Sequence, residues 1–181
     1  LGRDTDYELG FGVDDVNLQL GLFSDIDNAF NVWTASVANI GSVEYKGLDG
    51  IEVSAQSLYF KQNVKSLTGT AIDFSDNPIE LIEGSGLSFD MTQEELGMSG
   101  TLEFRMFDLI SMSGEFAIES AVKDITITDG EDSQSVEVNQ LAIGANDISA
   151  FVGFNIDDLD NRVGFELVDL DMALVMMSDR S

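Results

Sequence analysis

The stretch that decides the fold class runs from Met98 to Ile118 and reads MSGTLEFRMFDLISMSGEFAI. Its even-numbered positions are mainly apolar and its odd-numbered positions mainly polar, which is the period of a β-strand with one face on a core. One unbroken strand of this length would span about 70 Å at roughly 3.3 Å per residue. Strands rarely exceed about ten residues. We therefore predict a corner at Phe107-Asp108-Leu109 that separates two strands.

The same alternation recurs along the chain. Ile125–Ile127 and Val136–Val138 flank the polar, turn-forming stretch Asp129–Ser133, and residues 148–156 alternate cleanly. The one helical candidate is Thr92–Glu95, which has the spacing of a capping box. The pattern predicts an all-β fold with little or no helix, built as a repeat-containing antiparallel β-sheet sandwich or as a β-solenoid.

The two ends of the chain share a sequence pattern. Residues 9–25 (LGFGVDDVNLQLGLFSD) align without a gap on residues 163–179 (VGFELVDLDMALVMMSD). In both segments the apolar positions begin on odd numbers and then change to even numbers. A change of phase sends the apolar side chains to the other face unless the strand is interrupted. It predicts a β-bulge or corner at Asp14-Asp15 and at Val168-Asp169.

This repeat suggests how the chain is organised. A weaker third copy begins at Gly50–Val53, and the middle of the chain repeats poorly. We expect an excerpt of a tandem array that starts and stops partway through a unit. Residues 1–25 form the C-terminal part of one unit, 26–66 a second, divergent unit, 67–147 a degenerate β-rich middle segment, and 148–181 a unit that matches the N-terminal one.

The charge is strongly one-sided, with 34 Asp and Glu against 8 Lys and Arg and a formal net charge of −26. Binding to nucleic acid or to anionic lipid requires a surplus of Lys and Arg, so this composition excludes nucleic acid as a partner. Copies of the chain also repel one another unless cations screen them. We therefore expect a high-salt or calcium-containing setting.

Several chemical classes are excluded by composition. The chain has no Cys and no His, which rules out disulfides, thiolate nucleophiles, zinc fingers and Ser-His-Asp triads. No apolar run approaches the roughly 20 residues that cross a bilayer, so we expect no transmembrane segment. With one Trp and three Tyr, and no pattern that opposes two acids, we expect no catalytic residues and no enzyme.

Two Asp-rich segments are candidates for calcium binding. Asp4 and Asp6 align with Asp158 and Asp160, and the later segment continues as Asp157-Asp158-Leu159-Asp160-Asn161. Calcium takes 6–8 oxygen ligands, which short acidic loops supply. Neither segment completes an EF-hand, and a solvated acidic loop is the alternative. The candidate ligands are Asp4, Asp6, Asp157, Asp158, Asp160 and Asn161, with Asp25–Asn28 as a weaker second candidate.

The C-terminal part of the chain resembles tandem modules of very large secreted or surface proteins of marine bacteria and cyanobacteria. The residues that carry this resemblance are Ile148–Gly153, Val163-Gly164-Phe165 and Leu170–Met176. Those modules form extended, acidic, β-rich rods in adhesins and outer coats, so the resemblance implies an extracellular or cell-surface location. We expect a structural, non-catalytic segment of a filament, sheath, surface coat or adhesin stalk that self-associates end to end by strand pairing. The alternative is a calcium-dependent adhesin domain that binds a glycan, a mineral or a cell surface.

Overall fold

The structure, a computed structural model, describes residues 9–179. They form one seven-stranded antiparallel sheet in which every strand lies beside its neighbours in sequence. The strands are β1 (Gly10–Ser24), β2 (Val32–Lys46), β3 (Ile51–Val64), β4 (Glu95–Met106), β5 (Ile110–Thr128), β6 (Ser133–Phe154) and β7 (Val163–Asp179).

The all-β, antiparallel prediction is confirmed, but the strands lie in one sheet and make neither a sandwich nor a solenoid. Successive strands turn back beside each other, so the described part of the chain never crosses to a second sheet. The helical candidate at Thr92–Glu95 does not form a helix, in agreement with the expectation of little or no helix. Glu95 already begins β4, where it pairs with Asn63 and Ala121, so the strand alternation prevails over the capping-box spacing.

The corner predicted at Phe107-Asp108-Leu109 is confirmed, because these three residues form the turn between β4 and β5. Phe107 and Asp108 both have φ of +51°, and the N–H of Leu109 donates to the carbonyl of Met106 at 3.0 Å. Two successive residues with positive φ suit the right-handed twist of the flanking strands. The polar turn between β5 and β6 also forms, with the Asp129 side chain accepting two backbone N–H groups.

The register divides the side chains between two faces. Directly paired residues share a face, and alternate residues of a strand point to opposite faces. One face carries the even-numbered residues of β4 and β5 and all residues paired with them across the sheet. We call it the apolar face. One row across it reads Leu18, Ala38, Phe60, Met98, Ile118, Ile143 and Leu174. The opposite side is the polar face.

Left-handed residues interrupt four strands near their middle. Asp15, Ser57, Asp147 and Asp169 have φ between +51° and +54°. The apolar positions change from odd to even numbers, or the reverse, at each of these residues. The bulge predicted at Val168-Asp169 is confirmed by a shift of the β6–β7 register. At Asp14-Asp15 the left-handed Asp15 interrupts the strand, but the β1–β2 register continues without a shift. The effect of the left-handed residues is to keep the apolar side chains on the same face above and below the interruption.

Glycines accompany these residues on the neighbouring strands. Gly41 of β2 lies beside Asp15, and a Cβ on it would come within 2.8 Å of the Asp15 Cβ. Gly100 of β4 lies against β3, where a Cβ would come within 2.6 Å of Leu58. We call this line across the sheet the left-handed row. It comprises the four left-handed residues Asp15, Ser57, Asp147 and Asp169 together with the neighbouring glycines Gly41, Gly100 and Gly114.

A cover segment, residues 65–94, joins β3 to β4 and folds back over the polar face of the first strands. Its apolar side chains form a buried cluster with two residues of β2. Phe74 and Phe89 lie with ring centroids 5.6 Å apart inside it. The cluster comprises Phe74, Leu87, Phe89 and Met91 from the segment and Ala35 and Val37 from the sheet. The sheet therefore receives a hydrophobic cover on one face over part of its width.

Polar side chains of the sheet hold the two ends of the cover segment. Asn63, 1% exposed, donates from Nδ2 to the carbonyls of Ile72 at 2.7 Å and Gln93 at 2.9 Å. Trp33 donates from Nε1 to the carbonyl of Thr70 at 2.8 Å. A buried carbonyl without a donor costs free energy, so these bonds fix where the segment leaves and rejoins the sheet.

Gln19 of β1 holds the middle of the cover segment. Its Nε2 donates to the carbonyl of Ile79 at 2.8 Å, and its Oε1 accepts the N–H of Leu81 at 2.9 Å. The side chain is 2% exposed. One amide thus satisfies a donor and an acceptor of the segment's backbone, as a neighbouring strand would.

We predict that Phe89→Ala lowers the free energy of unfolding by about 3–5 kcal/mol, because it empties the centre of the buried cluster. Phe89 is fully buried, whereas Phe30 in the β1–β2 loop is 81% exposed. Phe30→Ala is the matched control and should change stability by less than about 0.5 kcal/mol. Urea denaturation followed by Trp33 fluorescence measures both. Equal losses for the two variants would contradict this account of the core.

A second prediction concerns the left-handed row. Ser57→Val should lower stability by about 1–2 kcal/mol, because a β-branched residue is strained at positive φ. Ser57→Gly relieves the same strain and should be neutral or slightly stabilising. Ser54→Val, at a regular position of the same strand, is the control and should change little. Thermal unfolding of the three variants checks the order, and a tolerated Ser57→Val would refute it.

Candidate assembly surfaces and acidic loops

The edges of the sheet are formed by the two segments that match in sequence. β1 pairs only with β2 and β7 only with β6 among the described residues. They are 15 and 17 residues long. A long edge presents a row of backbone N–H and C=O groups that can pair with another strand. Both edges also carry a left-handed residue at the aligned positions, Asp15 and Asp169.

The apolar face is open to solvent across its width. Leu18 and Leu20 of β1 are 57% and 52% exposed, and Leu174 of β7 is 47% exposed. Exposure continues on the central strands, where Met98 and Met112 are each 39% exposed. None of the described residues forms a second layer over this face. A contiguous apolar surface of this extent is typical of a site of interaction.

Charge is almost completely confined to the other side of the sheet. Away from the left-handed row, the charged residues on the described apolar face are Asp124 and Glu137, which pair with each other at one corner. Acids such as Glu103, Glu115 and Glu119 alternate with apolar residues and so fall on the polar face. The polar face therefore favours contact with water, whereas the apolar face favours contact with another apolar surface.

The predicted calcium ligands of the later segment lie in the β6–β7 loop. Asp158 accepts from Nδ2 of Asn161 at 2.9 Å and from the N–H of Asp160 at 3.3 Å. Asp157 forms an ion pair with Arg105 of β4. These hydrogen bonds hold the pKa of Asp158 below its usual value, the bond from Asn161 having the largest effect.

The β1–β2 loop repeats this arrangement at the opposite end of the strands. Asp25 accepts from the N–H of Asp27 at 2.9 Å and from Nδ2 of Asn31 at 3.2 Å. These bonds lower the pKa of Asp25, the bond from Asp27 contributing most. In both loops the carboxylate closes its own turn, as Asp side chains commonly do.

The structure brings Asp157, Asp158, Asp160 and Asn161 into one loop, whereas Asp4 and Asp6 lie outside the described residues. Within residues 9–179, no group of three or more acidic side chains is placed to hold a metal ion. The Asp158 oxygens are engaged by the loop itself, and the Asp157 carboxylate faces Arg105. Calcium binding at these residues stays a prediction.

A shallow hollow of about 450 Å³ lies where the left-handed row crosses the centre of the sheet. Its polar lining includes Ser57, Thr101, Glu115 and Asn146, and Glu115 is the one ionisable group among the residues that line it. The hollow therefore offers hydroxyl and amide groups and a single carboxylate.

Comparison with protein families, curated proteins and solved structures finds no match to this chain. Among residues 9–179, no helix is long and apolar enough to cross a membrane. The geometry of the sheet itself is therefore the basis for a functional proposal.

The continuous apolar face could have been predicted from the sequence, but the repeat at the two ends of the chain shows the change of phase only in β1 and β7. The same change of phase occurs within β3 between Ala55 and Leu58 and within β6 between Ala145 and Ile148. Counted over all strands, these changes indicate one continuous face. No sequence pattern predicts that Asn63 and Gln19 hold the cover segment, because their partners are backbone carbonyl and N–H groups 9–62 residues away.

We predict a pH-dependent contribution from Asp158. Its folded pKa lies below the usual value of 3.8 for Asp, so its contribution to stability is present above that value and is lost as the pH falls through the folded pKa. Asp158→Asn should therefore melt below the parent at neutral pH, with the difference vanishing in acid. Asp160→Asn removes the same charge two residues away and controls for general repulsion. Melting curves from pH 7 to pH 2 test this, and a constant difference would contradict it.

Proposed function

We propose that this chain is a structural, non-catalytic segment of an extracellular filament, sheath, surface coat or adhesin stalk. Its sheets join end to end, with β7 of one copy pairing with β1 of the next. The observation that carries the proposal is that the two long edges are the two strands of the internal repeat, both open among the described residues.

The direction of the strands supports a head-to-tail arrangement. β1 and β7 are separated by six antiparallel pairings, so they run parallel to each other. Copies related by translation in the plane of the sheet would therefore place β7 beside β1 in parallel. The apolar faces of all copies would then lie on one side. Such a contact is heterologous, and repeated without closure it generates an open fibre.

The charge of the chain supports an assembly that depends on salt. Each copy carries a formal charge of −26. At low ionic strength the repulsion between copies extends over about 30 Å, whereas at 0.15 M it is reduced to about 8 Å. Monovalent salt or calcium would screen the acidic surface and permit the edges to meet. A marine or calcium-rich exterior provides such conditions.

Cysteine trapping tests the proposed pairing. Asn17 of β1 and Ala173 of β7 lie in the same row of the polar face on the two edges. The chain has no Cys of its own, so Asn17→Cys with Ala173→Cys introduces the only thiols. A short bismaleimide should convert the double variant into a ladder of multimers, and the ladder should grow with added salt.

Each single-cysteine variant is the control, since one thiol per chain can give at most a dimer. A double variant that stays monomeric or dimeric on denaturing gels at every salt and calcium concentration would refute head-to-tail pairing. Negative-stain microscopy of the parent protein at the same concentrations should show elongated particles wherever the ladder appears.

A further inference from the structure

We propose that a second copy of this chain covers the apolar face, so that two sheets stack face to face and each contributes one layer of a β-sandwich. The inference rests on the proposed self-assembly and adds an interface perpendicular to the edge pairing. A sheet needs a hydrophobic partner for its apolar side. The described part of the chain supplies such a partner only on the polar face, through the cover segment.

The first support is the amount of surface that the chain leaves exposed. The accessible surface is 12,556 Å² for a chain of 19.6 kDa. A folded monomer of this mass exposes about 8,600 Å². Subtracting about 160 Å² for each of the ten residues outside the described range, which is the most that a residue exposes, still leaves an excess of about 2,400 Å². The chain alone therefore exposes more surface than a compact monomer of its mass, as expected if part of this surface lies in an interface.

The second support is the size of the apolar face. Seven strands about 4.8 Å apart and about 15 residues long make a face of roughly 1,600 Å². Two copies stacked on this face would bury about 3,200 Å² in total, within the 2,000–5,000 Å² range of obligate dimers. The area matches what a stable dimer needs.

The third support is charge, which selects a second copy as the occupant. Apart from the three Asp residues of the left-handed row, the two stacked apolar faces carry charge only where Asp124 and Glu137 pair. The acids of each polar face point outward from layers about 10 Å apart. Their separation then exceeds the screening length of about 8 Å at 0.15 M salt. Face-to-face stacking thus buries the apolar surface while it keeps two strongly acidic chains apart.

The composition of the face suits such an interface. Five of the seven methionines lie on it, namely Met98, Met106, Met112, Met172 and Met176. Met is flexible and polarisable, so a Met-rich surface can adjust its packing against an identical one.

Matched charge variants test the proposal. Met98 and Ser99 are adjacent in β4, at the centre of the sheet, and point to opposite faces. Met98→Glu places an unpaired carboxylate in the proposed interface and should raise the dimer dissociation constant by at least about 100-fold. Ser99→Glu adds the same charge to the polar face and should leave the constant within about threefold of the parent. Sedimentation equilibrium measures both, at the highest salt concentration at which the cross-linked ladder is absent.

A second substitution protects the test against misfolding. Met112→Glu in β5 alters the same face on another strand and should give the same folded monomer, verified by far-ultraviolet circular dichroism. A parent protein that is monomeric at all concentrations would overturn the proposal, as would a dimer that survives both Met variants. A monomeric parent that floats with phosphatidylcholine vesicles would assign the face to lipid instead.

The two proposed contacts fail separately. Loss of the cross-linked ladder with the dimer intact would refute edge pairing and leave face stacking standing. A ladder that persists in Met98→Glu while the parent shows no face dimer would refute face stacking alone.

Discussion

The strict alternation of side chains along a β-strand is the constraint on which the rest of this structure depends. A strand of 14 residues or more must place every second side chain on the same face, or be interrupted. Here four residues with positive φ supply the interruption, and the apolar sequence changes phase at the same places. The left-handed residue reverses which face the following side chains occupy, and the change of phase in the sequence reverses it again. The apolar side chains therefore stay on one face along the whole strand.

That continuity separates two incompatible surfaces in a chain with 34 acidic residues. On the polar face the acids stay solvated, and the cover segment buries Phe74 and Phe89 against β2. The cover is held by amide side chains, Asn63 and Gln19, which satisfy backbone groups that would otherwise be buried without partners. The opposite face carries almost no charge and receives no such cover from the described residues.

Two directions of association follow from this geometry, and they use different forces. Edge pairing in the plane of the sheet relies on backbone hydrogen bonds, which do not depend on the identity of the side chains. Its register therefore has to be set by features such as the left-handed residues of β1 and β7. Stacking across the apolar face relies on the hydrophobic effect and scales with area. Both kinds of contact have to overcome the repulsion between acidic chains, which makes salt a common requirement of the proposed assembly.

The strand class, the turn at Phe107-Asp108-Leu109 and the interruptions at Asp15 and Asp169 could be predicted from the sequence, because each is encoded within a few neighbouring residues. The helical candidate at Thr92–Glu95 does not form, because strand pairing of Glu95 to Asn63 and Ala121 prevails over the local capping pattern. The three-dimensional structure was needed to establish that all described strands share one sheet, that the repeated segments form its two edges, and that residues 65–94 cover one face. Those outcomes depend on how the strands pair and on which backbone groups a buried amide contacts, and local periodicity specifies neither of these.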